Sequence, residues 1–353
     1  MALPSYSFLL KYLLSKKVRA PIYLIFEPTA RCNSNCSFCY NKEKLNESEE
    51  MKAEEIDLFT RKMDKLLTLA LSGGEPFLRE DLSEVVEIFS KNVDMEYLII
   101  PTNGLLPDLI KEKTLRIIDK YEKKLIVTLS LDGLHQKHDE IRGVEGNFER
   151  LLETYDNLSA IDEDNLEISV NTCLNSSNKE EFVEIREFVR KRMPKTKAHN
   201  FSFMRGSFPD SDLKEVDLDF VKKNKEELQK TAIGSREFSF DPYGSFLKAI
   251  RAEYYSVYEN NQGNERNWDC YAGNLACYID FKGNLYPCES LPPIGNLEDY
   301  DYQFEDLWFS EVASGVRKGI KDGKCNCNHG CFVKLSLMFN LKIYPKLIRH
   351  VGK

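Results

Sequence analysis

Six short apolar runs, separated by amphipathic stretches, recur between residue 21 and about residue 206 of this 353-residue chain. The strand-like runs are Pro21–Phe26, Leu66–Leu71, Glu96–Ile100, Leu125–Leu129, Leu166–Thr172 and His199–Met204. Helical spacing falls between them, at Glu49–Lys65, Asp81–Lys91, Leu109–Lys124, Phe148–Leu158 and Lys179–Arg192. Strands alternating with helices imply right-handed crossovers and a parallel sheet. In such sheets and barrels, ligands bind at the carboxyl ends of the strands. Every unusual polar or glycine-rich segment falls at such an end: Cys32 to Tyr40, Ser72 to Pro76, Pro101 to Gly104, Ser130 to Gly133, and Arg205-Gly206.

The first of these segments carries Cys32, Cys36 and Cys39, spaced x3 then x2. Thiolates are soft ligands that select iron–sulphur clusters or zinc. A closed site wants four ligands and this loop offers three, which leaves a metal position open for a substrate or cofactor. The ten cysteines are clustered in a large chain, which favours metal ligation in a reducing cytoplasm over disulphides.

This spacing, closed by Tyr40, resembles the signature loop of the radical S-adenosylmethionine (SAM) enzymes. In that family three cysteines hold a 4Fe–4S cluster whose open iron is chelated by SAM. Reductive cleavage then gives a 5′-deoxyadenosyl radical that abstracts a hydrogen atom from the substrate. The resemblance implies a partial (β/α)6 TIM-like barrel over residues 21–206. It also implies an electron donor such as flavodoxin or ferredoxin. Gly73, Gly74 and Glu75 would bind the methionine amino group, and Ser130, Arg142 and Asn171 the ribose and carboxylate. Asp132 is a further candidate for the ribose hydroxyls. Tyr40 would pack near the adenine, and Asn103 is grouped with these cofactor-binding residues. The glycine-rich adenine motif common near the fifth strand of the family is not evident.

Beyond residue 206 the chain is acidic and polar until Cys270, with helical spacing at Leu218–Leu228 and Ser245–Tyr258. Residues 207–265 are expected to connect, or to cover the barrel mouth. Cys270 and Cys288 flank an alternating stretch around Gly283 that reads as a hairpin turning at Lys282-Gly283-Asn284. After helical spacing at Gln303–Ile320 come Cys325, Cys327, His329 and Cys331. This arrangement resembles a shortened SPASM/twitch extension of radical SAM enzymes over residues 266–335. It implies one auxiliary 4Fe–4S cluster on Cys270, Cys288 and Cys331, with Cys327 or Cys325 as the fourth ligand. Cys277 is an alternative ligand or an inward-facing strand residue, and Cys173 is expected in the core. By the same resemblance Glu289, just after Cys288, would act as a general base; otherwise it is a surface glutamate. A zinc knuckle, and more broadly a non-catalytic zinc scaffold or a peripheral iron–sulphur electron carrier, remains the alternative.

Charge narrows the partners. The formal net charge is −8, but residues 1–20 and 332–353 carry nine cations and no acid. Without those ends, 40 basic residues face 57 acidic ones, so nucleic acid is not an expected partner. The basic apolar ends suit either two helices packed on the body or contact with an anionic membrane surface. No run approaches the length needed to span a bilayer. About 20 residues precede the first strand, too few for a peptide-recognition domain, which lowers the expectation of a ribosomal peptide. The substrate stays open among a peptide, a sugar, an amino acid, a small metabolite and a lipid-linked metabolite.

Overall fold

A computed structural model describes residues 20–63, 65–204, 213–229, 242–260, 266, 268–323, 325 and 329–345. Arg205-Gly206, Cys327 and most of the basic terminal residues lie outside the described residues.

Strands β1 (Tyr23–Thr29), β2 (Leu66–Gly73), β3 (Met95–Thr102), β4 (Lys124–Ser130), β5 (Leu166–Leu174) and β6 (Thr196–Phe203) pair in sequence order, all parallel. Between them lie α1 (Ala53–Thr60), α2 (Leu82–Asn92), α3 (Pro107–Ile118), α4 (Gln136–Arg142), α5 (Asn147–Ser159) and α6 (Phe182–Arg192). The result is a partial (β/α)6 TIM-like barrel. Strand β1 is buried along its whole length, and its alternation sends Leu24 and Phe26 to one core and Tyr23 and Ile25 to another. Phe26 meets Phe59 of α1 and Phe89 of α2 at ring-centroid distances of 6.0 and 5.7 Å. Burial of each such ring contributes about 1.5–3 kcal/mol, so this trio fixes two helices over the strand that carries the cysteine loop.

The first helix is shorter than its spacing suggests. The Met51 N–H donates to Phe281 O at 2.8 Å, and the Glu55 carboxylate accepts from the Lys52 N–H at 2.7 Å. A tertiary contact and a cap thus delay the start to Ala53. The short helix α4 was not evident from periodicity. The expected Gln303–Ile320 helix is two, α9 (Phe304–Trp308) and α10 (Glu311–Lys321), because the Ser310 hydroxyl accepts from the Ala313 N–H and starts a new helix.

The expected hairpin forms from β7 (Ala276–Ile279) and β8 (Asn284–Tyr286). Gly283, at φ +81°, makes the turn, and the Asp280 carboxylate accepts from the N–H groups of Lys282 and Asn284. Strand β7 also pairs in parallel with β1, so the core sheet runs on into the hairpin and the short β9 (Gly295–Asn296). Helices α7 (Leu218–Gln229) and α8 (Pro242–Asn260) pack on each other, and α8 packs on α11 (Gly330–Phe339). The connector therefore supports the C-terminal cysteine segment. Among the described residues no helix is long and apolar enough to cross a membrane.

Candidate active site

The carboxyl ends of all six barrel strands open on one cleft. Cys32, Cys36, Cys39 and Tyr40 from the loop after β1 line it, with Gly73, Gly74 and Glu75 after β2 and Asn103 after β3. Ser130 of β4, Arg142 of α4, Asn171 of β5 and Ser202 of β6 complete the wall. The structure thus brings together every residue expected around the N-terminal triplet except Asp132.

Local geometry explains why glycine stands after β2. The N–H groups of Gly74 and Glu75 donate to Thr29 O and Arg31 O at 3.0 and 2.8 Å, which zips this turn onto the start of the cysteine loop. A Cβ on Gly74 would lie 2.1 Å from Arg31 O, a contact no side chain permits. Asn103 donates through Nδ2 to Asn33 Oδ1 at 2.8 Å, tying a third strand end to the same loop.

Glu75 is buried, and its carboxyl group accepts from the N–H groups of Asn103 (2.7 Å) and Phe77 (3.3 Å). Burial outweighs these bonds and pushes its pKa up to about 7. Glu27, on β1 below the cleft, is likewise driven to about 7 by burial, while Tyr278 and Asn41 hydrogen-bond to it.

Burial pushes the Cys32 thiol up to about 11; the Ser34 N–H opposes this, and Glu75 and the neighbouring thiols add to it. Cys39 is raised as well, first by burial. Cys32 and Cys39 therefore resist ionising as free thiols. Metal coordination deprotonates such thiols, so the donor set suits a group that brings its own positive charge. The Ser34 hydroxyl, which lines the cleft, is buried with no hydrogen-bond partner among the described residues. The residues present therefore fit an iron–sulphur cluster and a polar ligand.

Two expectations need correction. Asp132 is fully buried and accepts from the Cys173 N–H at 2.7 Å, while its other oxygen pairs with Arg142 Nη2 at 2.6 Å. It anchors Arg142 rather than facing a ribose. Cys173 is half-buried and lines the cleft instead of sitting in the core, because the end of β5 turns its side chain to the strand-end face.

A second cavity opens beyond the hairpin. Cys270, Cys288 and Cys325 line it together with Arg266 and His329. Cys331 stands half-buried at the first turn of α11, where its N–H donates to His329 Nδ1 at 3.3 Å; Cys327 lies outside the described residues. Cys277 is fully buried in the core on β7 and lines neither cavity, so it is the inward-facing strand residue.

Glu289 is not a surface glutamate. Its side chain is 5% exposed and hydrogen-bonds to His329 Nε2, on a residue 2% exposed. His329 was visible only as part of a dense Cys/His segment, and no sequence signal tied it to Glu289. Arg266, whose Nη1 lies 3.4 Å from Cys325 Sγ, gave no sequence signal at all.

Among the described residues no three Cys, His, Asp or Glu side chains converge on a point sized for a single metal ion.

A model of the Radical SAM superfamily matches residues 26–189, the segment from β1 to α6 that builds the cleft. Residues 26–189 of this chain are a radical SAM domain. It is 24% identical over 344 residues to the antilisterial bacteriocin subtilosin biosynthesis protein AlbA of Bacillus subtilis (strain 168), covering 91% of this chain and 69% of AlbA. It is 25% identical to the AdoMet-dependent heme synthase of Methanosarcina barkeri (strain Fusaro / DSM 804), covering 87% of this chain and 88% of that protein. Among solved structures, Streptococcus suis SuiB bound to its precursor peptide SuiA superposes with a TM-score of 0.60 at 18% identity. That match covers 93% of this chain and 75% of SuiB. At that identity the likeness shows the fold. The radical SAM relatives are of the SPASM/twitch kind and this chain is a radical SAM enzyme, which sets aside the zinc scaffold and the simple electron carrier. A radical SAM domain implies a 4Fe–4S cluster and SAM.

Proposed function

We propose that this enzyme modifies a peptide substrate, with Cys32, Cys36 and Cys39 holding the SAM-binding cluster and the second cavity holding one auxiliary 4Fe–4S cluster. The observation that carries the reading is the convergence of the triplet and the ends of six strands on one cleft, with a separate cysteine-lined cavity behind the hairpin. When bound, the cluster and SAM would supply a 5′-deoxyadenosyl radical able to take a hydrogen atom from the substrate. Gly73, Gly74 and Glu75 would orient the methionine amino group, with backbone approach made possible by the missing Cβ atoms. Ser130, Asn171, Arg142 and Asn103 would hold the polar remainder, and half-exposed Tyr40 the adenine.

In the second cavity, Cys270, Cys288 and Cys331 would be ligands, with Cys325 or Cys327 as the fourth. Glu289, held by His329, would accept a proton from the substrate as it is oxidised. The work divides between residues 21–206, where SAM binds, and residues 266–335, where the auxiliary group sits. Flavodoxin or ferredoxin is the electron donor this chemistry calls for. Contact of the basic ends with a membrane has no support among the described residues.

A peptide substrate is supported by the relatives: AlbA is named for bacteriocin biosynthesis, and SuiB was solved with a precursor peptide. A tetrapyrrole is the second reading, favoured by the near full-length match to the heme synthase.

Anaerobic reconstitution tests the whole. About eight irons per chain are expected from two cubanes, with 5′-deoxyadenosine released on adding dithionite and SAM. Iron-free protein, or no 5′-deoxyadenosine, would remove the reading. Mass spectrometry of candidate peptides against tetrapyrroles decides the substrate class.

A further inference from the structure

We propose that Arg142 is a positioning residue for the N-terminal cluster, donating from Nη1 to the Cys36 sulphur and thereby raising the reduction potential of the group that the triplet holds. The inference rests on the radical SAM reading and deepens it.

Arg142 Nη1 lies 3.6 Å from Cys36 Sγ, within hydrogen-bond reach of a sulphur. Nη2 is fixed by Asp132 at 2.6 Å and by Ser130 O at 3.2 Å, and Asp132 is itself fixed by the Cys173 N–H. The guanidinium also lies 5.5 Å from the centroid of the Phe38 ring. Both terminal nitrogens are thus occupied, while Nε has no hydrogen-bond partner among the described residues.

The backbone holds the pair in register. The N–H groups of Asn35 and Ser37, on either side of Cys36, donate to Arg142 O and Ile141 O, both at 3.0 Å. Gly143 ends α4 at φ +65°, and a Cβ there would lie 2.5 Å from Asn35 O. The end of α4 and the middle of the cysteine loop are therefore one clamped unit. Cys32, by contrast, accepts from the backbone N–H of Ser34 at 3.4 Å, a neutral donor.

A cluster gains negative charge on reduction, and donors to its sulphurs favour the reduced form. A charged donor on Cys36 acts in that direction more strongly than an amide does.

The test uses full-length protein, reconstituted anaerobically with Cys270 and Cys288 replaced by Ala so that the N-terminal cluster is read alone. Redox titration followed by electron paramagnetic resonance, without SAM, compares Arg142 with Arg142→Gln, Arg142→Lys and the double variant Arg142→Gln/Asp132→Asn. The double variant avoids leaving a buried carboxylate unpaired. Arg142→Gln and the double variant are expected to show about a tenfold lower reduced-to-oxidised ratio at a fixed potential, or about 59 mV for a one-electron couple. Lys should fall between. An unchanged ratio overturns the proposal, including the case in which SAM affinity falls while the ratio stays put. Failure of the unsubstituted Arg142 protein to take up iron is a different result and takes the radical SAM reading down with it.

Discussion

The two cysteine-lined cavities have similar volumes, about 230 Å³ for the cleft and about 200 Å³ for the cavity behind the hairpin, but they are built in opposite ways. The first gathers the ends of six parallel strands, so each wall residue sits where its own strand delivers it. The second gathers Arg266, Cys270, Cys288, Cys325 and His329 from coil, a hairpin and a helix start. A repeated strand–helix unit places residues by periodicity. An irregular segment places them through contacts made elsewhere. The first cavity should therefore tolerate loss of the second better than the second tolerates loss of the first, since β7 of the hairpin pairs with β1 of the barrel.

The sharpest break of this comparison is Cys36→Ala. It should reduce 5′-deoxyadenosine formation to background and lower the iron content by about four, the size of one cubane. Iron analysis and chromatography of the SAM products check both. Retention of 5′-deoxyadenosine formation would dissolve the division of labour between the cavities.

Glu289→Gln should separate the two sites. Product formation is expected to fall about 10²–10⁴-fold while dithionite-driven 5′-deoxyadenosine release continues. If both fall together, the second cavity is coupled to the first step rather than to a later one.

Glu27→Gln sharpens the comparison from the stability side. Burial raises the Glu27 carboxyl to about 7 in the folded protein, from an ordinary value of 4.5. The folded state thus holds its proton more tightly than the unfolded one. Stability drawn from that proton is present below about pH 4.5 and is lost as pH rises through 7. The loss is about 3 kcal/mol. Glu27→Gln should remove it, so denaturant unfolding of the cluster-free protein at pH 5 and pH 8 should show a flatter dependence than the parent protein.

Gly143→Ala is the smallest of the four. A positive φ and a 2.5 Å approach to Asn35 O should cost about 1–3 kcal/mol. Because the strain falls on the clamp around Cys36, iron uptake by the N-terminal site should slow while the second cavity still loads.

Much of the first cavity was legible in the chain. Gly73, Gly74 and Glu75 stand just past an apolar run, and the x3, x2 spacing of the cysteines is local. Asp132 was misplaced because an acid at a strand end looks the same whether it faces a ligand or an arginine. The second cavity was legible only as a set of cysteines. Cys277 stands on the hairpin that Cys270 and Cys288 flank, and only the pairing of β7 with β1 turns it into the core.

The sequence by itself determined the parallel barrel and the triplet, since short apolar runs, helical spacing between them and the close spacing of the cysteines are each written within a few residues. Tertiary structure alone decided that Arg142 meets Cys36 across 106 positions and that Glu289 meets His329 across 40. Such contacts depend on how whole elements dock, and no local pattern encodes the partner of a buried charge.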